Sequence, residues 1–260
     1  MLHAFWRYNM KLKVISFNIR CCDDKDGNSV VERAPRLKKV TEPYCADIIG
    51  VQEYTPLWEK PLAEYFGDDY EIFNKYRCTE GHMESAPILW KKGKFDCIKK
   101  GYFWLSDTPE VESRGWDTLP HNRICLYAVL KDRESNTEFV TMNTHYGFGD
   151  ECQVKSSVLV SEYSRKISDL PTYITGDFNM TPDSVGYAEM IKNWTDVNGV
   201  TVNDRRSTYH GYDLSKDSKA HIDYCFINEK IKPITLKIID ELVDGKFPSD
   251  HFGVYTELEI

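Results

Sequence analysis

The 260-residue sequence contains no apolar run of the roughly 18 residues that a membrane-spanning helix requires. It also lacks internal repeats, low-complexity tracts and linkers rich in Pro or Gly, so it offers no boundary between domains. The patterned sequence begins at Met10, which predicts a single domain over residues 10–260 and an N-terminal extension over residues 1–9. The first residues do not follow the basic, apolar, small-residue order of a secretion signal, so we expect a cytoplasmic protein without a membrane span.

Several common enzyme motifs are absent as well. The sequence has no Gly-rich phosphate loop, no Gly-x-Ser-x-Gly turn and no dinucleotide fingerprint, which argues against the corresponding nucleotide-binding proteins and serine hydrolases. Its eight cysteines never form a Cys-x-x-Cys pair, so a closed structural zinc site is not expected. They lie mostly among apolar neighbours, which predicts reduced, buried thiols, with a disulfide framework as the alternative.

An excess of basic residues is also missing. The sequence has 33 Lys and Arg against 41 Asp and Glu, for a net charge of −8. An acidic surface repels phosphate backbones, which disfavours a protein that coats nucleic acid nonspecifically. A nucleic-acid substrate held at a local site or through a bound cation remains compatible with this charge. The sequence does contain 41% hydrophobic and 13% aromatic residues, which is sufficient for a large core.

Alternating and helical patterns of apolar residues predict a mixture of strands and helices. Strands are expected over 11–18, 47–51, 70–76, 86–90, 95–99, 124–131, 137–143, 173–175, 222–227, 234–239 and 252–258. Helices are expected over 32–45, 56–65, 151–167 and 183–192, the third with a buried stripe of Val154, Val158, Leu159 and Tyr163. Because no long helix separates the strands between residues 70 and 143, their pairing is expected to be antiparallel. One flat sheet cannot hold so many strands, so we predict an α+β domain with two packed sheets.

Polar clusters lie at the boundaries of six predicted strands. They are Asn18-Ile19-Arg20, Gln52-Glu53, Asn143-Thr144-His145, Gly176-Asp177-Phe178-Asn179, His221-Ile222-Asp223-Tyr224 and Pro248-Ser249-Asp250-His251. Each alone is compatible with a turn, a helix cap or a hydrogen-bonded core residue. Together they suggest a hard-cation phosphoester site, since Mg²⁺ prefers carboxylate, amide and water oxygens. A separate carboxylate would deprotonate water, and a histidine would stabilise the phosphate oxygens.

In these clusters the sequence resembles the endonuclease/exonuclease/phosphatase superfamily, which has the fold of deoxyribonuclease I. The matching segments follow the family's order across residues 12–258: Ser16-Phe17-Asn18-Ile19-Arg20, Gly50-Val51-Gln52-Glu53, Asn143-Thr144-His145, Gly176-Asp177-Phe178-Asn179, Ile222-Asp223-Tyr224 and Ser249-Asp250-His251-Phe252. A narrower likeness to the small bacterial metal-dependent hydrolases of this group lies in residues 101–109, 115–117, 123–125 and 181–184. The resemblance implies a four-layer α/β sandwich, in which two mostly antiparallel sheets pack face to face and are flanked by helices.

The resemblance also implies roles for individual residues. It implies a divalent metal, Mg²⁺ or Mn²⁺, that is held by Glu53, Asn18 and Asp250. It implies catalytic roles for Asp177, which orients and deprotonates water, and for Asn179, His251, His145 and Asp223, the last as the partner of His251. It implies contacts to the phosphate or the rest of the substrate for Asn143, Arg123 and Glu84.

A metal-dependent phosphoester hydrolase, either a phosphatase or a phosphodiesterase that attacks phosphorus with an activated water, is therefore expected. A nuclease acting on DNA or RNA is the alternative, and a catalytically silent RNA-binding relative is disfavoured because no residue of the set is missing. The acidic balance and the Asn143-x-His145 signature favour a small phosphoester, a nucleotide or a lipid headgroup as substrate, and a monomer is expected. After His145, residues 146–149 depart from the acid and histidine that are common in relatives. The aromatic residues Phe103, Trp104, Trp116 and Tyr209 are expected in the core, with stacking on a base as the alternative.

Overall fold

A computed structural model describes residues 10–215 and 219–260, so the predicted extension over residues 1–9 lies outside the described residues. Within them the strands are β1 (Lys11–Asn18), β2 (Ile48–Gln52), β3 (Tyr70–Phe73), β4 (Ile88–Lys91), β5 (Phe95–Trp104), β6 (Ile124–Asp132), β7 (Glu138–His145), β8 (Thr172–Asp177), β9 (Thr195–Asp196), β10 (Asp223–Ile227), β11 (Lys232–Ile239) and β12 (Gly253–Glu259). The helices are α1 (Val30–Thr41), α2 (Glu59–Phe66), α3 (Asp150–Ile167), α4 (Val185–Met190) and α5 (Val197–Val200), with 3₁₀ turns at Glu42–Tyr44 and Pro56–Trp58. None of these helices is long and apolar enough to cross a membrane.

The strands form two six-stranded sheets, in the orders β11-β12-β1-β2-β4-β3 and β5-β6-β7-β8-β10-β9. Two neighbouring pairs, β1 with β2 and β7 with β8, are parallel, and the other neighbours are antiparallel. The chain passes through α1 between the first parallel strands and through α3 between the second, as a crossover between parallel strands requires. The prediction of two mostly antiparallel sheets is confirmed.

Three apolar layers separate four layers of backbone. Alternation along β1 directs Leu12 and Val14 into the layer between the sheets, where Leu126 of the second sheet also lies. Ile15 and Phe17 point to the opposite face, which α1 and α2 cover. The helices α3 and α4 cover the outer face of the second sheet. The expected four-layer α/β sandwich is therefore confirmed.

The buried face of α3 differs from the predicted stripe. Its buried residues are Cys152, Gln153, Ser156, Ser157, Val160, Ser161 and Ser164, whereas Val158 of the predicted stripe is 40% exposed. The reason is the close approach of α4, because a Cβ atom added to Gly186 would lie only 2.4 Å from Cβ of Gln153. Small side chains allow two helices to come this near, so the fully buried face lies beside the predicted stripe, of which Leu159 and Tyr163 are partly buried and pack against the core.

Two predicted element boundaries are also corrected. The helix α1 begins at Val30 rather than at residue 32, because Ser29 is its N-cap and Glu32 accepts the Ser29 N–H at 3.1 Å. The strand β5 continues beyond the predicted end at residue 99 to Trp104, since it stays paired with β6 over its whole length apart from one bulge.

The cysteines are free thiols, as expected, but they are not all buried. Cys125, Cys152 and Cys225 are buried in the core, whereas Cys45 and Cys97 are exposed. The expectation of buried thiols is therefore wrong for these two residues.

Candidate active site

The layer between the two sheets changes from apolar to polar toward one edge. The inward-facing positions run from Leu12 to Asn18 in β1 and from Tyr173 to Asp177 in β8. In β10, which is antiparallel to β8, the first residue Asp223 pairs with Asp177. The polar ends of strands from both sheets consequently meet at the same edge of the sandwich, which is where side chains from distant parts of the sequence can converge.

Asn143 ties the two sheets together beneath this edge. Its Nδ2 donates to the Val51 carbonyl at 2.8 Å, and its Oδ1 accepts from Gln52 at 2.7 Å and from Thr175 at 3.0 Å. Gly50 makes this approach possible, because a Cβ there would lie 2.5 Å from Thr175 Oγ1 and 2.7 Å from Asn143 Cγ. The Asn143 amide is fully buried and bonds to other residues of the protein, so it lies beneath the edge, and its contact to the substrate stays a prediction.

A cavity of about 560 Å³ opens above the polar edge. Of the predicted site residues, those that line it are Glu53, Glu84, Arg123, His145, Asp177, Asn179, Asp250 and His251. Two further predicted residues, Asn18 and Asp223, are buried behind the wall and hydrogen-bond to residues that line it. The structure therefore brings the predicted set together around one hollow, with Asn143 below it.

Three residues that follow strand ends have left-handed backbone conformations. Arg20 after β1, Glu53 after β2 and Asn179 after β8 have φ angles of 64°, 60° and 50°. Such conformations are unfavourable for residues other than glycine and persist where the surrounding structure holds them. At Glu53 the turn interrupts the alternation of β2: Val51 faces the helix layer, but the Glu53 side chain reaches the cavity.

Asn18 links the two central carboxylates. Its Nδ2 donates to Glu53 Oε1 at 3.0 Å and to Asp177 Oδ2 at 2.9 Å, so it presents its amino group rather than its oxygen to both. The backbone N–H of Cys21 donates to Glu53 Oε2 at 2.8 Å. Burial opposes the ionisation of Glu53, but the neighbouring His145 and His251 rings, together with these donors, lower its pKa to about 2.

His251 and Asp223 form a buried pair next to Asp177. His251 Nδ1 donates to Asp223 Oδ2 at 3.0 Å, and His251 Nε2 lies 3.8 Å from Asp177 Oδ2. Burial alone would lower the pKa of His251, but Asp223 and Asp177 raise it to about 10, so the ring is protonated. Burial and the charge of Asp223 raise the pKa of Asp177 to about 7.

His145 is neutral and contacts the amide of Asn179. Burial and the nearby Arg123 guanidinium hold the pKa of His145 well below its usual value. Its Nε2 lies 3.1 Å from Asn179 Nδ2, which also donates to the Tyr146 carbonyl at 2.9 Å. Since Nε2 accepts, Nδ1 carries the hydrogen, and within the described part of the chain this buried atom has no hydrogen-bond partner.

Glu53 and Asp250 approach one cationic side chain. The Arg20 guanidinium lies 4.0 Å from Glu53 Oε2 and 3.7 Å from Asp250 Oδ2. Burial raises the pKa of Asp250, and the Glu53 charge raises it further, although His251 and Arg20 act in the opposite direction. Two buried oxygen donors that repel one another in this way form a set that suits a hard divalent cation.

Several residues of the cavity wall farther from Asp177 were not predicted from the sequence. Arg77 pairs with Glu84 at 2.7 Å, His82 Nδ1 lies 3.1 Å from Glu84 Oε1, and Arg123 Nε donates to Asp117 Oδ2 at 2.7 Å. Glu84 and Arg123 were predicted by resemblance, but Arg77 and His82 lie in the irregular segment between β3 and β4, where no periodicity indicates direction. The cation-rich composition of this wall therefore emerges only from the fold.

Thr208 was also not predicted from the sequence, although it connects the segments that carry His251 and Asp223. Its buried Oγ1 accepts from the backbone N–H groups of Ile222 at 3.0 Å and Asp223 at 3.1 Å. Its carbonyl accepts from the Phe252 N–H at 2.7 Å, next to His251. This one residue joins the segments that carry the two partners of the pair.

The aromatic residues divide between the core and the surface. Phe103 and Trp104 are buried, as expected. Tyr209 is 38% exposed and lines the cavity, so its predicted core position is wrong. Trp116 lies in a separate surface groove against α3, where it is also outside the core.

Comparison with known families decides the relationship. The model of the endonuclease/exonuclease/phosphatase family matches residues 15–251, a range that includes the whole predicted site. The chain belongs to this family. Members of the endonuclease/exonuclease/phosphatase family are phosphoester hydrolases and nucleases, generally dependent on a divalent metal, and the carboxylate-rich cavity fits that chemistry.

Similar proteins support the same assignment. A crystal structure of a family member from Bacteroides thetaiotaomicron is 27% identical, with a TM-score of 0.86, and the match covers 96% of this chain and 97% of that chain. A mannosyl-6-phosphatase from the same species is also 27% identical, with a TM-score of 0.84 and coverage of 96% and 100%. A protein of Acanthamoeba polyphaga mimivirus is 31% identical over 142 residues, 51% of this chain and 53% of the viral protein. The match thus spans about half the length of that curated relative.

Proposed function

We propose that this protein is a Mg²⁺- or Mn²⁺-dependent phosphoester hydrolase in which an activated water attacks phosphorus. The observation that carries the proposal is the convergence on Asp177 Oδ2, which has Asn18 Nδ2 at 2.9 Å, His145 Nε2 at 3.5 Å and His251 Nε2 at 3.8 Å. A carboxylate, an amide and two imidazoles around one point are the groups needed to take a proton from water and to stabilise charge on a phosphate.

Asp177 is the proposed general base. Its Oδ1 accepts the backbone N–H of Asn179 at 3.0 Å and its Oδ2 accepts from Asn18, so both oxygens are held in place. A general base is most effective when its pKa is near the operating pH, and the pKa of about 7 suits this role. The side-chain amide of Asn179, oriented by His145, is proposed to hold the attacked phosphate or the water beside the base.

His251 is proposed to stabilise the phosphate oxygens. Asp223 keeps the ring protonated and fixes its orientation through Nδ1. The Nε2–H is then available to an oxygen on which negative charge increases during the reaction. A buried cationic donor of this kind acts more strongly than it would in water, because the surroundings screen its charge less.

Glu53 and Asp250 are proposed to hold the divalent cation. Their oxygens are the ligand type that Mg²⁺ and Mn²⁺ prefer, and the Arg20 guanidinium that faces both of them lies 4.0 Å from Glu53 and 3.7 Å from Asp250. When bound, the metal would neutralise charge on the phosphate and the leaving oxygen. Asn18, predicted as a third ligand, would have to turn its amide to offer an oxygen, so we propose that it spaces the two central carboxylates.

The cavity and the charge favour a small substrate. A volume of about 560 Å³ lies within the usual range of small-molecule sites, and a net charge of −8 opposes long polyanions. Because a relative of 27% identity is a mannosyl-6-phosphatase, a sugar phosphate is the first candidate, ahead of nucleotides, lipid headgroups, DNA and RNA. We further expect the enzyme to be a cytoplasmic monomer.

Hydrolysis of a substrate panel tests the proposal. The panel contains hexose phosphates, mononucleotides, dinucleotides, inositol phosphates, sphingomyelin, RNA and DNA with and without an abasic site, each with Mg²⁺ or Mn²⁺. We expect a phosphomonoester to be turned over, the activity to disappear on chelation, and Asp177→Asn to lower kcat by ~10²–10⁴-fold.

Asp169→Asn is the matched control, because it makes the same substitution at a fully exposed acid that pairs with Lys230, away from the cavity. It should keep the wild-type kcat. Activity that survives chelation, or an unchanged kcat in Asp177→Asn, would rule out the proposed mechanism. Faster cleavage of RNA or DNA than of any small ester would instead favour the nuclease alternative.

A further inference from the structure

The cavity contains a second group of metal-ligating side chains, apart from Glu53 and Asp250. Cys21, His82 and Glu84 each offer one ligand atom, and these three atoms all lie within 4.8 Å of one another. All three residues line the cavity, and they come from the loop after β1 and the segment between β3 and β4. No motif in the sequence connects them, since 60 or more residues separate the cysteine from the other two.

The surrounding structure orients two of these ligands. The Cys21 backbone is fixed on both sides, because its N–H donates to Glu53 at 2.8 Å and its carbonyl accepts from Thr55 at 2.8 Å. Arg77 holds Glu84 Oε2 at 2.7 Å, which leaves Oε1 directed at His82 Nδ1, 3.1 Å away. A carboxylate oxygen and an imidazole nitrogen therefore already lie beside one another, next to a cysteine whose backbone is held by two hydrogen bonds.

His82 is the most exposed member of the group. Its side chain is 54% exposed, so its ring can turn from the Arg77 N–H at 2.9 Å toward a metal at little steric cost. The His121 ring lies 5.2 Å from the His82 ring, centroid to centroid, and also lines the cavity. Cys21, His82 and Glu84 could therefore supply three ligands to a metal ion, and water or a second imidazole could supply a fourth.

The chemistry of the group differs from that of the oxygen donors at Glu53 and Asp250. Thiolate sulfur, imidazole nitrogen and one carboxylate oxygen form a set typical of Zn²⁺, whereas Mg²⁺ requires oxygen ligands. We propose that Cys21, His82 and Glu84 bind Zn²⁺, or Cd²⁺ as its softer analogue, on the cavity wall. A metal there occupies space that the substrate needs, so, if the proposed hydrolase function holds, Zn²⁺ inhibits competitively with substrate and independently of Mg²⁺.

Binding of Cd²⁺ to the full chain tests the proposal without any turnover. The titration is followed by the ultraviolet charge-transfer absorbance of the Cd²⁺–thiolate bond, in excess Mg²⁺ so that the oxygen donors at Glu53 are saturated. We expect a stoichiometric absorbance change in the wild type and its loss in Cys21→Ser, which removes the thiolate that gives the absorbance. His82→Gln should weaken binding while the thiolate absorbance at saturation remains.

Cys78→Ser is the matched control. The Cys78 thiol lies 3.2 Å from the His82 carbonyl but does not belong to the group, so its removal should leave the titration unchanged. Absorbance that persists in Cys21→Ser, disappears in Cys78→Ser, or is abolished by Mg²⁺ would overturn the assignment. These outcomes do not depend on the hydrolase assay, so the metal site and the proposed function can fail separately.

Discussion

Replacing Thr208 with valine is expected to weaken the support of the buried pair of His251 and Asp223. Valine has nearly the shape of threonine but lacks the oxygen that accepts the N–H groups of Ile222 and Asp223 at 3.0 and 3.1 Å. A buried donor without a partner costs about 1–3 kcal/mol, so two of them cost about 2–6 kcal/mol in the free energy of unfolding. That is a large fraction of the 5–15 kcal/mol that is typical for a folded domain.

Thr208→Ser separates the hydrogen bonds from packing. Serine keeps the oxygen and removes only a methyl group from a fully buried position, which should cost about 0.5–1.5 kcal/mol. Urea unfolding measured in parallel should therefore order the proteins as wild type, Thr208→Ser and Thr208→Val, with the larger gap between the two variants.

Activity should follow the same order. Asp223 begins β10 at the hydrogen bond with Thr208, and His251 depends on Asp223 for its orientation. Loss of the Thr208 hydroxyl should lower kcat more than it raises KM, because His251, which Asp223 orients, contacts the reacting phosphate in the proposed mechanism. Equal stability and equal kcat in the valine and serine variants would refute the argument, since it assigns the effect to one oxygen atom.

Three further outcomes are expected. Gly50→Ala should lose about 1–3 kcal/mol of stability in urea, because its Cβ would lie 2.5 Å from Thr175 Oγ1; wild-type stability would contradict this packing. In chelated protein, the stability from protonated His251 is complete below its ordinary pKa of 6.5 and is lost as pH rises through about 10, and Asp223→Asn should flatten that decline in urea titrations. Glu53→Gln should weaken Mn²⁺ binding by at least ~10-fold in calorimetry, and unaltered affinity would remove Glu53 from the proposed cation site.

Alternation within single strands accounts for much of what could be predicted. In β1 a period of two places Asn18 on the same face as Leu12 and Val14, and the structure confirms that this face is the layer between the sheets. A period within one strand contains no information on which distant strand lies beside it. The pairing of Asp223 with Asp177 was therefore not predicted, and the family resemblance implied only that both residues belong to one site.

Features carried by loops or by small residues could not be predicted in this way. Arg77 and His82 reach the cavity from an irregular segment, where side-chain direction follows from local turns and not from a repeat. The buried face of α3 consists largely of serines, because close contact with α4 selects small side chains over apolar ones. Glu53 was predicted as a site residue, but its left-handed backbone, which turns it into the cavity, has no signature in the sequence.

The two central carboxylates show how one amide can separate two chemical roles. Asn18 Nδ2 donates to both Glu53 and Asp177, yet the pKa of Glu53 is lowered to about 2 and that of Asp177 is raised to about 7. The hydrogen bond from Asn18 is common to both, so the difference must come from their other neighbours. Each carboxylate also accepts one backbone N–H, from Cys21 and from Asn179. The difference therefore lies in other groups: His145 and His251 lower the pKa of Glu53, whereas Asp223 raises that of Asp177.

A carboxylate that stays ionised at every working pH is suited to holding a cation, and one that titrates near neutrality is suited to accepting a proton from water. Their environments thus favour Glu53 as the metal ligand and Asp177 as the general base, although both are acidic residues at the ends of buried strands. If Asp223 is the cause of the difference, Asp223→Asn must lower the pKa of Asp177 toward that of an ordinary buried carboxyl. The acid limb of the kcat profile should then move to lower pH, while the affinity for Mn²⁺ at Glu53 stays the same.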